Sequence, residues 1–578
     1  MTNLKISPLG GVGLMLDGDN TMLPDAAFTD CVNVRFNGRE IAPYLGNQLC
    51  QYYTTDSTDT YQPLIFWLIQ TSMFDEFSSR AALLFGLGPD GDDVCIWQQS
   101  MATPQLAKLP ITNDGNYATG FTTDCCWVSY KAQINNSVIF GALDFTPLGK
   151  QYNWDGFDTL PGWGEQTIID TDGDPVIESR RWTCKKIVSF DNRLLALRTT
   201  EESQGGEDIP YPTRVRWSGF AQENAFPINW DDTAANRTPE DFAAAVIDGY
   251  AGWQDLSSNV QVVDGCENGG TFYIYTERET YAMTPTGNDE SPFSTKLLYS
   301  DLGCIDIGCC VNAHGYNYVF TGSDVIRHDS VSRVSVADGK VRDWLAAYMN
   351  DHETGMCRML VFPELSEIWI MIYGTDQASG DYSKTIALTY NYLKETWSRK
   401  TLPYINDTAF APLAPPSYPR IWDSMDITWD SDNTVWDTDS VKTAQGTMIG
   451  ACAAGGVYYL NYGATEARNK YSSGVYAMTT QDLQCYVERR GLDFNTGYRE
   501  MITEVYLNGR GQNDITLSIG RADNPDAGYT WEKQTVTLSA QRLTTWCAEG
   551  ESHGYRLEIS GQGDIPAGIN FKIVQTGQ

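Results

Sequence analysis

Phe272-Tyr273-Ile274-Tyr275, a polar turn, then Thr280-Tyr281 is one instance of a phrase that recurs along this chain. Other instances are Leu83-Leu84-Phe85 to Val94-Cys95-Ile96-Trp97, and Val138-Ile139-Phe140 to Tyr152-Asn153-Trp154. Further on come Tyr318-Val319-Phe320 to Val325-Ile326-Arg327, and Ile368-Trp369-Ile370-Met371 to Ile386-Ala387-Leu388. Val457-Tyr458-Tyr459-Leu460 reads as a last half-copy. Each is a short apolar strand, a polar or glycine turn and a second strand. Copies return every ~45–90 residues, a spacing that suits propeller blades, small sheets that must stack on neighbours to bury their faces. No signature dipeptide is shared, so the blade number stays open. The fold expected is all-β, an irregular β-propeller body with a β-sandwich platform and a few short helices.

The composition agrees with strands. Among 578 residues, 42% are hydrophobic and 12% aromatic, with 32 Tyr, 21 Phe and 17 Trp. Flat and branched side chains pack well on a pleated surface. Forty Lys and Arg against 74 Asp and Glu give a formal charge of −34. That balance opposes wrapping of DNA or adsorption to anionic membranes, both of which need cations to displace counterions. No stretch approaches the ~20 apolar residues of a membrane-spanning helix. Met1 to Asp17 holds one Lys and no apolar core, so no cleaved secretory signal is expected. Of 14 cysteines, Cys125-Cys126 and Cys309-Cys310 are adjacent pairs, and most others lie in apolar strand patterns such as Val94-Cys95-Ile96. Buried free thiols made in a reducing cytoplasm are the expectation.

Three regions follow. Residues 1–50 form an N-terminal segment expected to pack with the platform. Within it Phe28 to Phe36 alternates and runs into Asn37-Gly38, a hairpin signal because both residues tolerate positive φ. Residues 51–480 are the propeller body, with a proline-rich loop over 403–419 that cannot be a central strand. Two short helices interrupt this body. Thr238-Pro239-Glu240-Asp241 opens one to about Ile247, and the other spans Val341 to Tyr348. Residues 481–578 alternate evenly, as in Glu504–Gly509, Ile515–Gly520, Thr535–Leu538 and Tyr555–Ile559, the pattern of a β-sandwich platform.

A search for chemistry returns no catalytic, cofactor-binding or metal residues. The four histidines, His314, His328, His352 and His553, have no partner at metal-ligand spacing. No nucleophile elbow, phosphate-cradling loop or dinucleotide fingerprint occurs. Asp17-Gly18-Asp19, Asp90-Gly91-Asp92-Asp93 and Asp430-Ser431-Asp432-Asn433 resemble calcium loops, but the last places Thr434 and Val435 where ligand and glycine should follow. Turn chemistry is favoured for all three. Asn524 to Trp531 matches the D-x-G-x-T-W core of the Asp-box of sialidase propellers, a structural hairpin usually repeated and here single. It keeps open a glycan-active, sialidase-like enzyme or a non-catalytic carbohydrate-binding propeller on a virion surface.

Two longer stretches carry a more specific resemblance. The first is Gly10-Gly11-Val12 through Leu23-Pro24-Asp25-Ala26-Ala27-Phe28-Thr29-Asp30 to Asn33-Val34-Arg35-Phe36-Asn37-Gly38. The second runs Thr213-Arg214-Val215-Arg216-Trp217-Ser218, Pro227-Ile228-Asn229-Trp230 and Ala251-Gly252-Trp253-Gln254-Asp255-Leu256, then Gly269 to Thr276 and Gly303-Cys304. The hairpin from Tyr318 to His328, the Arg342-Asp343-Trp344 helix and the pairs Trp422-Asp423, Trp429-Asp430 and Trp436-Asp437 follow in order. This order resembles the tail nozzle, or tail tubular, proteins of short-tailed bacteriophages (podoviruses). The resemblance implies a structural virion protein with no enzymatic activity and no cofactor. It implies a homohexameric ring at the distal tail, assembled in the host cytoplasm and facing the host outer surface without inserting in a membrane. It also implies docking to a tail adaptor and to tail fibres or tailspikes, with genome DNA ejected through the centre. Acidic channel walls would repel phosphates and let DNA slide.

Overall fold

The computed structural model describes residues 2–49, 158–232, 251–411 and 447–577 apart from short breaks, and between 53 and 151 only strands. The expected helix near 238–247 lies outside the described residues. So do residues 412–419 of the proline-rich stretch, the acidic runs at 90–93 and 430–433, and the three late Trp-Asp pairs. The earlier part of that stretch is not a loop but an edge strand, Ile405–Ala411, which ends before Pro412. The chain is all-β, an irregular propeller fold of four-stranded meanders with a sandwich platform and a short helix. Its contacts divide into two compact units. One comprises residues 1–48, 308–404 and 461–578, the other residues 49–307 and 405–460.

In the second unit the repeated phrases are hairpins inside meanders. Leu84 stands opposite Trp97, and Ile274 opposite Tyr281. Val138-Ile139-Phe140 pairs with Leu148–Gln151 rather than with the aromatic run after it. Leu148-Gly149-Lys150-Gln151 has little β-character of its own, and the hydrogen-bond ladder to its neighbours overrides that propensity. Two full meanders follow. The first is Trp182–Phe190, Arg193–Glu202, Asp208–Trp217 and Gly252–Asp255. The second is Val262–Asn268, Thr271–Thr276, Thr280–Pro285 and Phe293–Tyr299. Period-two alternation puts successive side chains on opposite faces. Along Arg193–Glu202, Leu194 and Ala196 enter one core with Trp163, Trp182 and Trp230, while Leu195 and Leu197 enter another with Phe190, Trp217 and Phe272. A sheet buried on both faces must be stacked on both sides, which is the blade condition.

The first unit holds two further meanders. One is Cys310–Ala313, Tyr316–Phe320, Val325–His328 and Arg333–Ser335. The other runs Thr354–Phe362, Glu367–Gly374, Ile386–Asn391 and Thr396–Thr401, extended by Gly13–Leu14 and Ala27–Phe28. The helix between them is Arg342–Asp351. Two sheets form the platform. One is Thr2–Ile6, Ile565–Gly577, Arg499–Arg510 and Leu543–Gly550 in spatial order. The other is Asp30–Val32, Cys485–Leu492, Ser552–Ile559, Asp514–Ala522 and Thr530–Thr537. Tyr555 of the second sheet meets Phe571 of the first at 5.6 Å between ring centroids.

The alternating stretch Phe28 to Phe36 is not one strand. Asn33 takes φ +55° and splits it. Asp30–Val32 joins the Cys485–Leu492 strand, while Val34–Phe36 forms a hairpin with Ile41–Pro43. Asn33 is fully buried, and its amide donates to Thr401 Oγ1 (2.8 Å) and the Gln484 carbonyl (2.9 Å) and accepts from the Thr401 N–H (2.9 Å). A short amide side chain tolerates this backbone region and satisfies the groups that the break exposes. At the Asn37-Gly38 turn, Asn37 Oδ1 accepts from the Arg39 and Glu40 amides, and Gly38 takes φ +86°.

Candidate functional site

The residues weighed for chemistry from sequence are not brought together. His314 lies in a turn at φ +52° and stacks on Tyr392. His328 and His553 are buried, and burial pushes each imidazole down to about 4, so both stay neutral near pH 7. His352 lies outside the described residues. No group of three or more His, Cys, Asp or Glu suited to a metal occurs among the described residues. No helix among them is long and apolar enough to cross a membrane. The nine cysteines whose side chains are described form no disulfide; seven are buried, Cys266 is half-buried and Cys547 is exposed.

Asp17 and Asp19 have construction duties. Asp17 Oδ1 accepts from the Asp343 and Trp344 amides, each at 3.0 Å, and so caps the Arg342–Asp351 helix from more than 320 positions away. Asp19 Oδ1 accepts from the amide and hydroxyl of Thr21. In the Asp-box stretch, Tyr529 Oη accepts from the Gly491 N–H and shares a hydrogen bond with the Ser552 hydroxyl, and Trp531 packs over Gly520. The box tyrosine and tryptophan are thus packing residues of the platform.

The most developed constellation of charge lies in the Trp182–Asp255 meander. Thr213-Arg214-Val215-Arg216-Trp217 alternates, so Arg214 and Arg216 share a face. Arg214 grips Asp255 with two hydrogen bonds, Nε to Oδ1 at 2.8 Å and Nη2 to Oδ2 at 3.0 Å. Its guanidinium lies 3.5 Å from the Tyr211 ring centroid and 3.7 Å from that of Trp253. Glu201 joins both arginines, Oε2 taking Arg214 Nη1 and Oε1 taking Arg216 Nη1, each at 3.2 Å. Arg216 also faces Asp232 at 3.4 Å and the Trp182 ring. Trp163 stacks on Trp182 at 3.5 Å, and Trp230 meets Trp163 edge-on at 4.9 Å. Both guanidiniums are neutralised by the three carboxylates around them, so the cluster fixes the blade.

Beside it the same meander opens a cavity of about 240 Å³. It is lined by Thr183, Lys185, Arg198, Thr200, Tyr211 and Gln261, with Cys184, Thr199, Pro210 and Pro212 completing the wall. Its cause is a bulge. Cys184 pairs with Thr199 and Lys186 with Leu197 in one unbroken register. On the other side Leu197 pairs with Val215 but Thr199 with Tyr211, so a bulge spans residues 212–214. Arg198, at φ +55°, sits opposite that bulge. Sequence reasoning passed over this site. The available signal was one cation inside the apolar run Leu194-Leu195-Ala196-Leu197-Arg198.

No protein-family profile matches the chain, and no curated protein matches it. Among solved structures it is similar to the β-propeller domain of the Trilobed protease from Pyrococcus furiosus, at 7% identity and a TM-score of 0.28 over 59% of this chain and 84% of that one. It is also similar to Trypanosoma rangeli sialidase in complex with sialic acid, at 8% identity and a TM-score of 0.26 over 92% and 95%. A third is exo-beta-1,3-galactanase from Phanerochaete chrysosporium, at 8% and 0.22 over 91% and 99%. Likeness at this level says nothing of chemistry.

Proposed function

We propose that the protein is a structural subunit of a short phage tail, the distal nozzle through which genome DNA is ejected. One observation carries the reading: residues of the nozzle-like motifs serve construction. A Cβ on Gly10 would fall 2.2 Å from the Glu40 carbonyl oxygen, and one on Gly13, at φ +86°, 2.9 Å from that of Trp397. A Cβ on Gly252 would strike the Trp217 ring at 2.9 Å, and one on Gly303 the Glu277 backbone at 2.2 Å. Asn33 and Asn37 shape turns, and the buried Arg214 and Arg216 are paired with Asp255 and Glu201. Motifs spent on close backbone approach and buried pairing fit a scaffold protein better than a catalyst.

In this proposal the working unit is a homohexameric ring docked to a tail adaptor and to fibres or tailspikes. Its net charge of −34 per subunit keeps duplex DNA off the channel wall. Negative-stain microscopy of the purified chain and of virions tests it, with six-fold rings at the tail tip expected. Duplex DNA is expected to show no affinity even at low salt, where attraction would be strongest. A strictly monomeric subunit within intact virions would overturn the nozzle reading. A salt-sensitive submicromolar DNA complex would overturn the repulsive channel.

A further inference from the structure

The cavity at the bulge of the Trp182–Asp255 meander has a composition at odds with the rest of the chain. In a protein of net charge −34 it gathers two cations, Lys185 and Arg198, and no carboxylate lines it. The Arg214 and Arg216 guanidiniums next door are neutralised by Glu201, Asp255 and Asp232, whereas Arg198 donates no hydrogen bond to any described residue. Burial lowers the proton affinity of Arg198 and the nearby Glu277 carboxylate raises it, so the guanidinium remains charged. Glu277 itself accepts the amide hydrogen bond of Gln261, which turns that wall residue toward a fixed position.

The backbone at Arg198 is also unusual. A non-glycine residue at φ +55° inside a strand is held there at a cost, and such strain gathers where a side chain must be aimed. The bulge on the neighbouring strand leaves this residue in the cavity wall. Around it are the hydroxyls of Thr183 and Thr200, the Gln261 amide, and the apolar faces of Tyr211, Pro210 and Pro212. The volume is below the roughly 300 Å³ at which pockets for drug-sized ligands begin. A planar fork of donors suits a carboxylate or phosphate, the hydroxyls and amide suit ligand hydroxyls, and the ring and prolines suit a sugar's apolar face.

We propose that this cavity binds a small polyhydroxylated anion of monosaccharide size, a sugar acid or a sugar phosphate, with Arg198 holding the anionic group.

Titration calorimetry of the full chain at low ionic strength tests this with glucuronate, glucose 6-phosphate, inorganic phosphate and glucose as probes. At least one of the two anionic sugars is expected to bind about tenfold or more tighter than glucose, the preferred one telling carboxylate from phosphate. The variant R198N removes the guanidinium while keeping a side chain that tolerates positive φ, so its melting temperature should hold while affinity falls about tenfold or more. E277Q, which removes the opposing charge, should tighten binding by about threefold. No heat from either anionic sugar at about 10 mM would overturn the proposal. So would R198N binding as tightly as the parent, or inorganic phosphate binding as tightly as glucose 6-phosphate.

Discussion

The Arg214 cluster and a second cluster around Glu367 both take charge out of water, but they are assembled over different lengths of chain. Arg214 meets Glu201 and Asp255, 13 and 41 positions away. Glu367 receives Tyr44 Oη on Oε2 at 2.7 Å across 323 positions, and Lys400 donates to the Leu45 carbonyl at 2.6 Å across 355. Arg35 Nε stands 3.2 Å from Glu367 Oε1, and Trp369 donates to Oε2 at 3.0 Å. Lys400 also lies over the Tyr44 and Trp369 rings, at 5.0 and 5.6 Å. The first cluster welds one blade to itself. The second pins the N-terminal segment onto the Thr354–Thr401 meander within one compact unit, so its charges set where distant chain segments meet.

That contrast predicts unequal damage. Glu367 is 1% exposed, and E367A would leave Tyr44 Oη and Trp369 Nε1 without their shared acceptor and Arg35 without its ion-pair partner. Removing one member of a buried ionic set costs about 3–5 kcal/mol. A drop of that size in urea-unfolding free energy is expected, and a loss below about 1 kcal/mol would show that the hub holds nothing.

In the Arg214 cluster the sharper change is R214K. Lysine keeps the charge but loses the bidentate grip on Asp255 and the planar stack between Tyr211 and Trp253. Asp255 is 42% exposed on its side chain, so solvent screens part of the ion pair, and about 2 kcal/mol is expected, mostly from lost stacking. A double-mutant cycle with D255N should recover under half of it as pair coupling. Full recovery would mean that the ion pair, not the rings, carries the site.

The two clusters also differed in how well the sequence announced them. Thr213 to Trp217 alternates within ten residues of chain, and its arginines were visible as a motif. Nothing local marks Tyr44, Glu367 or Lys400 as neighbours, because their meeting depends on the N-terminal segment docking on the Thr396–Thr401 strand, where the Asn33 amide donates to the Arg399 carbonyl. Alternation likewise read Phe28 to Phe36 as one strand, since periodicity cannot register that Asn33 has two hydrogen-bond partners over 360 positions away. The hairpins were legible because their turns are short. The cavity at Arg198 was not, because it arises from a bulge, and register is a property of pairs of strands.

Titration separates the clusters next. Arginine does not lose its proton in the accessible range, so the Arg214 side of the comparison is insensitive to alkali. Lys400 is fully buried, and burial lowers its ammonium to about 8. Between pH 8 and the ordinary lysine value, the unfolded state holds a proton that the folded state has released, so stability rises with pH. The buried thiols Cys31 and Cys485, raised to about 11, act oppositely, since the unfolded chain loses those protons first. The thiols begin to act within pH 8 to 9 as well, so the comparison is differential: across that window the parent is expected to gain about 1 kcal/mol relative to K400M. A gain retained by K400M would place the titrating group elsewhere.

The smallest effect concerns a third long-range tie. Asp17 lies in a run that reads as a calcium loop, yet its Oδ1 is committed to the first-turn amides of the Arg342–Asp351 helix. A carboxylate there satisfies two otherwise orphaned donors and meets the positive end of the helix dipole. D17A should cost about 1 kcal/mol, while D17N, which keeps an acceptor oxygen, should cost only a few tenths. Calcium at millimolar levels should leave the melting temperature where it is, because Asp17 Oδ1 is held by two N–H groups and Asp19 Oδ1 by Thr21, leaving too few oxygens for a cation that takes about six to eight. A calcium-dependent rise in the parent that disappears in D17N would reverse the assignment, making the cap secondary to a metal site. Equal losses in D17A and D17N would instead mean that charge, not the hydrogen bonds, anchors the segment to the helix.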